Sequence, residues 1–187
     1  IGDRTIVYTH SVVDQSEVGT DAFVGPFAFI HGNSVVKQGS AIGSFVEVNR
    51  SDVGAYSKAR HLSYLGDTSV GEEVIIGAGL VTCNYDGAKK HRTIIKDKSF
   101  IGGNNTLVAP VTIHEGAITA AGSTITEDVP AEALGIARER QTNKPGYALK
   151  IREKKQDKTS NSKHNRTTTT KPSVLKSSKP GLFEHSA

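Results

Sequence analysis

A chain of 187 residues with one cysteine, no tryptophan and no methionine suits a single domain with an appendage. Cys83 alone cannot build an internal disulfide framework. No stretch is apolar enough to span a bilayer, and no signal peptide leads the chain, so a reducing, cytoplasmic setting is expected. The formal charge of +4 is unevenly placed: residues 1–149 hold 13 Lys+Arg against 16 Asp+Glu (net −3), and residues 150–187 hold 10 against 3 (net +7).

The chain opens at Ile1 in repeat-like sequence without a start methionine, as the C-terminal part of something longer would. Hydrophobic residues then recur at every sixth position: Val18, Val24, Ile30, Val36, Ile42 and Val48. The beat slips by one residue to Val53, passes Ala59 and Leu65, slips again to Val70 and continues at Ile76. It resumes as Ile95, Ile101, Leu107, Ile113, Thr119 and Ile125. Four residues after a marker comes a small or aliphatic side chain, as at Ala22, Ala28, Ser34, Ser40, Val46, Ser57, Ser63, Ala117, Ser123 and Val129. A period of six is neither helical nor simple strand alternation; it is the signature of a parallel β-helix, three hexads to a triangular coil. Glycine after many markers (Gly19, Gly25, Gly43, Gly54, Gly71, Gly77, Gly102) is expected to serve turns with unusual backbone angles. A β-sandwich would not hold one six-residue phase over a hundred positions.

A solenoid has no room for chemistry inside its coils, so the breaks in the repeat matter. In KARHLSYLGD (58–67), His61 lies two places past the marker Ala59, on the outside of its coil. The position stacked on it in the next coil is Ala78. An imidazole over a backbone N–H is a general base beside an oxyanion donor. Between Thr82 and Ile95 the beat fails and throws out a loop, 83–93, carrying Asn84, Tyr85, Asp86, Lys89, Lys90 and Arg92. The bland reading is a surface insertion, yet projecting loops on repeat proteins commonly form the binding face. The seven histidines show no pair at matched-coil spacing, so no metal site is expected. Cys83 has no base at a recognisable distance, and glycines of a Walker or dinucleotide loop are absent. No flat threonine ladder suggests an ice-binding solenoid.

After Val129, Asp128 and Pro130 suit an N-cap and first helical position, so a short turn of helix is expected at 130–134. The predicted organisation is a β-helix over 1–129, a C-terminal arm over 130–150 with helix near 148–156, and a disordered basic tail over 151–187. That tail is expected to be solvated, with no specific nucleic-acid partner.

Six segments together, GPFA (25–28), FVEV (45–48), KARHLSYLGD (58–67), IGAGLVTCNYDG (76–87), LVAPVTI (107–113) and AAGSTITEDVP (120–130), have a familiar look. They resemble the C-terminal acetyltransferase domain of the bacterial bifunctional N-acetylglucosamine-1-phosphate uridyltransferase/glucosamine-1-phosphate acetyltransferase. The resemblance runs over about residues 1–149. No nucleotide loop of the uridyltransferase half is present, so that N-terminal domain is expected to be missing. The resemblance implies a left-handed β-helix, a homotrimer with sites between subunits, and acetyl transfer from acetyl-CoA to the amine of glucosamine-1-phosphate in UDP-N-acetylglucosamine and cell-wall biosynthesis. It makes His61 the general base. It assigns Tyr64, Asn84, Tyr85 and Lys90 to the sugar phosphate, and Ala78, Gly103, Ala121 and Arg138 to the coenzyme. Three positions depart from the family pattern: His31 replaces an arginine, Asn49 a lysine and Ile75 an asparagine. His31 and Asn49 are 18 residues apart and should stack, so the phosphate clamp is altered while the coenzyme side is kept. The expectation is a weakened acetyltransferase; the alternatives are a trimeric scaffold that binds coenzyme, or an acetyltransferase for another amine.

Overall fold

The computed structural model describes residues 1–164 of the chain. These form two units, Ile1–Glu139 and a second beginning at Arg140. The first unit is a left-handed parallel β-helix of about seven turns. Its strands are two to four residues long and fall into three sheets in which every pairing is parallel. Sheet A has eight strands, from Ile6–Val7 to Leu134–Gly135; sheet B has seven, from Val12–Val13 to Thr124–Ile125; sheet C has six, from Glu17–Val18 to Val111–Ile113.

The six-residue markers are the core. Ile30, Ile42, Leu65, Ile101, Leu107 and Ile113 have no accessible surface, and the other markers are also buried. Full burial of one such aliphatic side chain stabilises by about 1.5–3 kcal/mol. The one-residue slips shorten a coil from 18 to 17 residues, as the register Phe23↔Ala41 and Ala41↔Lys58 records. The small residues at the fifth place are buried at the corners, where the serines tie coils together. Ser51 Oγ donates to the Leu65 carbonyl at 3.0 Å and accepts the Thr68 N–H at 2.8 Å. Ser57 Oγ donates to the Gly71 carbonyl at 2.7 Å and accepts the Val74 N–H at 2.9 Å.

The glycines after the markers do a different job from the one expected. Of Gly19, Gly25, Gly43, Gly54, Gly71, Gly77 and Gly102, only Gly25 has a positive φ. The left-handed corner positions fall two residues later and are held largely by other residues, among them Phe45, Tyr56, Glu73 and Asn104. The glycines are needed because the next coil passes too close for a side chain. A Cβ on Gly77 would lie 2.6 Å from the Gly103 nitrogen, one on Gly102 2.5 Å from the Thr119 carbonyl oxygen, and those on Gly43 and Gly54 would strike the carbonyls of Arg60 and Gly71.

Two boundaries also shift. Residues 130–134 form no helical turn: Ala131 and Glu132 make a turn, and Leu134–Gly135 joins sheet A through Ile118↔Leu134 and Thr119↔Gly135. The apolar Leu134 thus continues the solenoid past Val129. In the second unit a helix spans Tyr147–His164, so the helix expected near 148–156 runs on through 157–164, a stretch expected to be disordered. Its lysines and arginine are good helix formers, which the reading by charge overlooked. The remainder of the basic tail, 165–187, lies outside the described residues.

Leu107→Ala is expected to cost about 2–5 kcal/mol of stability by opening a cavity in the core. Gly77→Ala is expected to cost about 1–3 kcal/mol by wedging the coils apart. Gly103→Ala should be nearly neutral, because its Cβ would sit 3.4 Å from the Ala78 oxygen, an ordinary contact. Urea denaturation of the three variants checks the order.

Candidate functional site

His61 ends the sheet A strand Lys58–His61 and pairs with Ser44 on the coil before. Its main chain is fixed twice: Ser63 Oγ donates to the His61 carbonyl at 2.9 Å, and the Leu62 N–H to the Ser44 carbonyl at 2.9 Å. The imidazole itself is exposed and borders a groove of about 300 Å³ lined by Tyr8, Phe23, Gly25, Ser44 and Arg60. The register Lys58↔Ile75 and Ala59↔Ile76 brings Ala78 beside His61 on the next coil, as the spacing predicted. The following registers carry the same column to Gly103 and then Ala121. At each of these three residues the neighbours on both sides hydrogen-bond to adjacent coils, while the N–H of Ala78, Gly103 and Ala121 finds no acceptor among the described residues. Arg138 stands at the end of this column, its Cδ 3.8 Å from where a Cβ on Gly122 would be.

Tyr64, Asn84, Tyr85 and Lys90 lie around the corner from His61, which the left-handed Leu62 turns at φ 48°. Tyr64 begins a sheet B strand, and its ring folds back over Gly66, where a side chain would collide with the ring. Within the chain, therefore, the nine residues of the predicted site divide into two groups. His61, Ala78, Gly103, Ala121 and Arg138 follow one column, and Tyr64, Asn84, Tyr85 and Lys90 occupy the next face and its loop.

The altered column is as the spacing required, with His31 paired to Asn49 across one coil. Both are already engaged. His31 Nε2 lies 3.0 Å from Glu47 Oε1, and its ring stacks on Phe29 at 3.9 Å between centroids. Asn49 Oδ1 accepts from Arg50 Nη1 at 2.8 Å. Ile75 is exposed on sheet A. Sequence reasoning passed over Arg50 and Asp67, which form a bidentate pair at 2.7 and 2.9 Å. The Arg50 guanidinium holds the Asp67 carboxyl below the usual carboxylate range, burial opposing it and the Asn84 amide adding to it. The missed signal was a spacing of 17, which links Arg50, Asp67 and Asn84 on three successive coils.

The loop between Cys83 and Thr93 is ordered by contacts within it and by one ion pair to Asp52. Asp86 Oδ1 accepts the N–H of Ala88 at 2.7 Å and of Lys89 at 2.6 Å, and its other oxygen meets His91 Nε2 at 2.6 Å. Tyr85 Oη donates to the Gly87 carbonyl at 2.7 Å, and Arg92 reaches Asp52 at 2.6 Å. The Lys89 N–H, then the His91 ring, then the Ala88 N–H drive the Asp86 carboxyl far below the ordinary carboxylate range. A depressed folded value means that the stabilisation is complete above the unfolded value near 4 and is lost only as pH falls through the folded one. The amide resonances of Ala88 and Lys89 should accordingly hold still between about pH 5 and pH 4, where a free carboxylate takes up its proton, and move only in stronger acid. Movement near pH 4 to 5 would contradict this account of the loop.

Among the described residues no group of three or more His, Cys, Asp or Glu side chains could hold a metal ion, and no helix is long and apolar enough to cross a membrane. No family model matches the chain. The chain is 52% identical over 140 residues to the bifunctional protein GlmU of Caldicellulosiruptor saccharolyticus, an alignment covering 75% of this chain and 30% of that protein. It is 55% identical over 150 residues to the bifunctional protein GlmU of Halalkalibacterium halodurans, covering 80% and 33%. The chain thus spans about a third of the length of these relatives. Among solved structures, a mutant of perosamine N-acetyltransferase from Caulobacter crescentus, in complex with CoA and GDP-perosamine, shares the fold at a TM-score of 0.50 and 15% identity, covering 75% of this chain and 58% of that one. The chain is a hexapeptide-repeat β-helix that matches the C-terminal part of the bifunctional GlmU proteins, the family whose motifs its own sequence resembles.

Proposed function

We propose that the chain transfers acetyl from acetyl-CoA to the amine of glucosamine-1-phosphate, in the cytoplasm, as a step towards UDP-N-acetylglucosamine. The observation that carries this reading is the column that runs from the exposed His61 through the unpaired N–H groups of Ala78, Gly103 and Ala121. Three coil steps at about 4.8 Å make a strip of about 14 Å with almost no side chains, suited to an extended, amide-bearing coenzyme arm. Arg138 at its far end is placed for the coenzyme phosphates, which pair well with guanidinium.

In the reaction His61 takes a proton from the acceptor ammonium and frees the nitrogen lone pair. The nitrogen attacks the thioester carbonyl, whose oxygen gains negative charge and is received by the Ala78 N–H. As the C–N bond is made the nitrogen sheds its second proton, the C–S bond breaks, and coenzyme A leaves with that proton as the thiol, the first proton passing from His61 to solvent. Tyr64, Asn84, Tyr85 and Lys90 hold the amino sugar, with Lys90 next to its phosphate.

The acceptor side supports a second reading, a coenzyme-binding scaffold or an enzyme for another amine. His31 is occupied by Glu47 and Asn49 by Arg50, so neither offers a free charge to a phosphate. Each lost charge-assisted contact weakens binding by about tenfold to a hundredfold.

The subunits assemble as a homotrimer in this proposal. On the outside of sheet A one register position carries Ile6, Phe23, Ile75, Phe100, Ile118 and Leu134, all 44–57% exposed. Ala41 and Lys58 stand between Phe23 and Ile75 in the same register. Another copy would cover this ladder and supply the wall that a convex solenoid lacks. Light scattering should give a trimer, and Phe100→Asp should shift it towards monomer; a monomeric parent would remove the inter-subunit site.

Release of coenzyme A thiol should require glucosamine-1-phosphate and fall by about 10²–10⁴-fold in His61→Ala. If the parent is silent but His31→Arg with Asn49→Lys restores release, an altered clamp is the cause. Silence in both leaves the scaffold reading standing.

A further inference from the structure

We infer that Asp67 is a positioning residue, fastening both ends of the loop that carries Asn84, Tyr85 and Lys90. At the loop's entry, Asn84 Nδ2 donates to Asp67 Oδ2. At its exit, the Thr93 N–H donates to the Asp67 carbonyl at 3.2 Å. One residue thus holds the two stems across the gap where the six-residue beat is broken. Asn84 closes the same base from its other side, its carbonyl accepting the His91 N–H at 2.8 Å.

The Asp67 carboxylate is itself immobilised. It sits at a left-handed corner with φ 48°, one coil after Arg50 with φ 51°, and Arg50 grips it through Nε and Nη2. The Asp67 side chain is 18% exposed. Its second oxygen is shared between Arg50 and Asn84, so guanidinium, carboxylate and amide form a chain across three coils. Through Arg50 the chain extends to Asn49 in the altered column. Loop and column are thereby set by one carboxylate that need not touch a ligand.

The inference rests on the acceptor reading for its kinetic consequence, but not for its structural one. Asp67→Asn removes the charge that Arg50 and Asn84 share. In the intact chain, tryptic cleavage after Lys89, Lys90 or Arg92, located by mass spectrometry, should accelerate about tenfold while the β-sheet circular dichroism is kept. The KM for glucosamine-1-phosphate should rise by about the same factor, with the KM for acetyl-CoA unchanged. Parental cleavage rates in a folded Asp67→Asn protein would overturn the inference, and so would a parental acceptor KM. If the parent acetylates no amino-sugar phosphate, the acceptor reading falls and the cleavage rate alone decides the role of Asp67. If Asp67→Asn does not fold, Asn84→Ala decides: faster cleavage upholds the tether at the loop's entry, and parental cleavage removes it.

Discussion

Parallel coils about 4.8 Å apart allow a residue only one neighbour above and one below, and that neighbour is fixed by chain length alone. In this chain the interval is 17 or 18 residues wherever the repeat is unbroken, and 16 in the last coil, where Ile118 pairs with Leu134. The constraint explains why glycine must follow so many markers, why buried serines bridge coils, and why polar groups far apart in sequence form straight columns. A solenoid coil buries little alone, so each column is also a test of its neighbours' fit. Gly77 and Gly103 illustrate the two cases. The first has a backbone nitrogen 2.6 Å from its missing Cβ; the second has nothing nearer than 3.4 Å and faces open space along the proposed coenzyme strip.

The sequence is unusually readable because its period and its stacking are the same fact. Inward markers, buried fifth places, the His61–Ala78 neighbour relation and the His31↔Asn49 pair all follow from counting. The roles proposed for Tyr64, Lys90 and Arg138 rest on the resemblance, since counting assigns them none. What stayed hidden depended on side-chain direction or backbone angle. Counting shows that Gly43 and Gly54 recur, but not whether a positive φ or a close carbonyl demands glycine. Arg50 and Asp67 lie at a spacing of 17 from each other and Asp67 at 17 from Asn84, but an ion pair between coils carries no motif of its own. The end of the solenoid was misplaced for another reason: Pro130 signals a helix start, yet Leu134 had a vacant sheet edge at Ile118 to pair with.

Occupied and unoccupied polar groups divide the proposed site into two halves with different prospects. On the proposed coenzyme column the backbone donors of Ala78, Gly103 and Ala121 have no acceptor among the described residues. On the acceptor face nearly every polar side chain already has a protein partner: Glu47 with His31, Arg50 with Asn49 and Asp67, and Asp67 with Asn84. A ligand must break such contacts or make do with what they leave, and breaking a charge-assisted pair costs about as much as a new one returns. Coenzyme affinity is therefore the more robust half of the proposal. Acceptor choice is the half that a few substitutions can redirect.

Geometry also bears on where the two halves meet. A triangular prism is convex, and around one corner the imidazole of His61 and the amide of Asn84 cannot enclose a substrate between them. The loop projects from sheet B, whereas the groove beside His61 lies on sheet A. A cleft needs a second surface, and the apolar ladder of sheet A asks for one on independent grounds. Six exposed Ile, Phe and Leu side chains at one register position form an apolar strip that water solvates poorly. A copy laid against that strip would gain by covering it and would place its own loop or groove over the first subunit's histidine column. In the proposed trimer, assembly and catalysis would share one cause, since the same stacking that aligns the ladder aligns the column beside it.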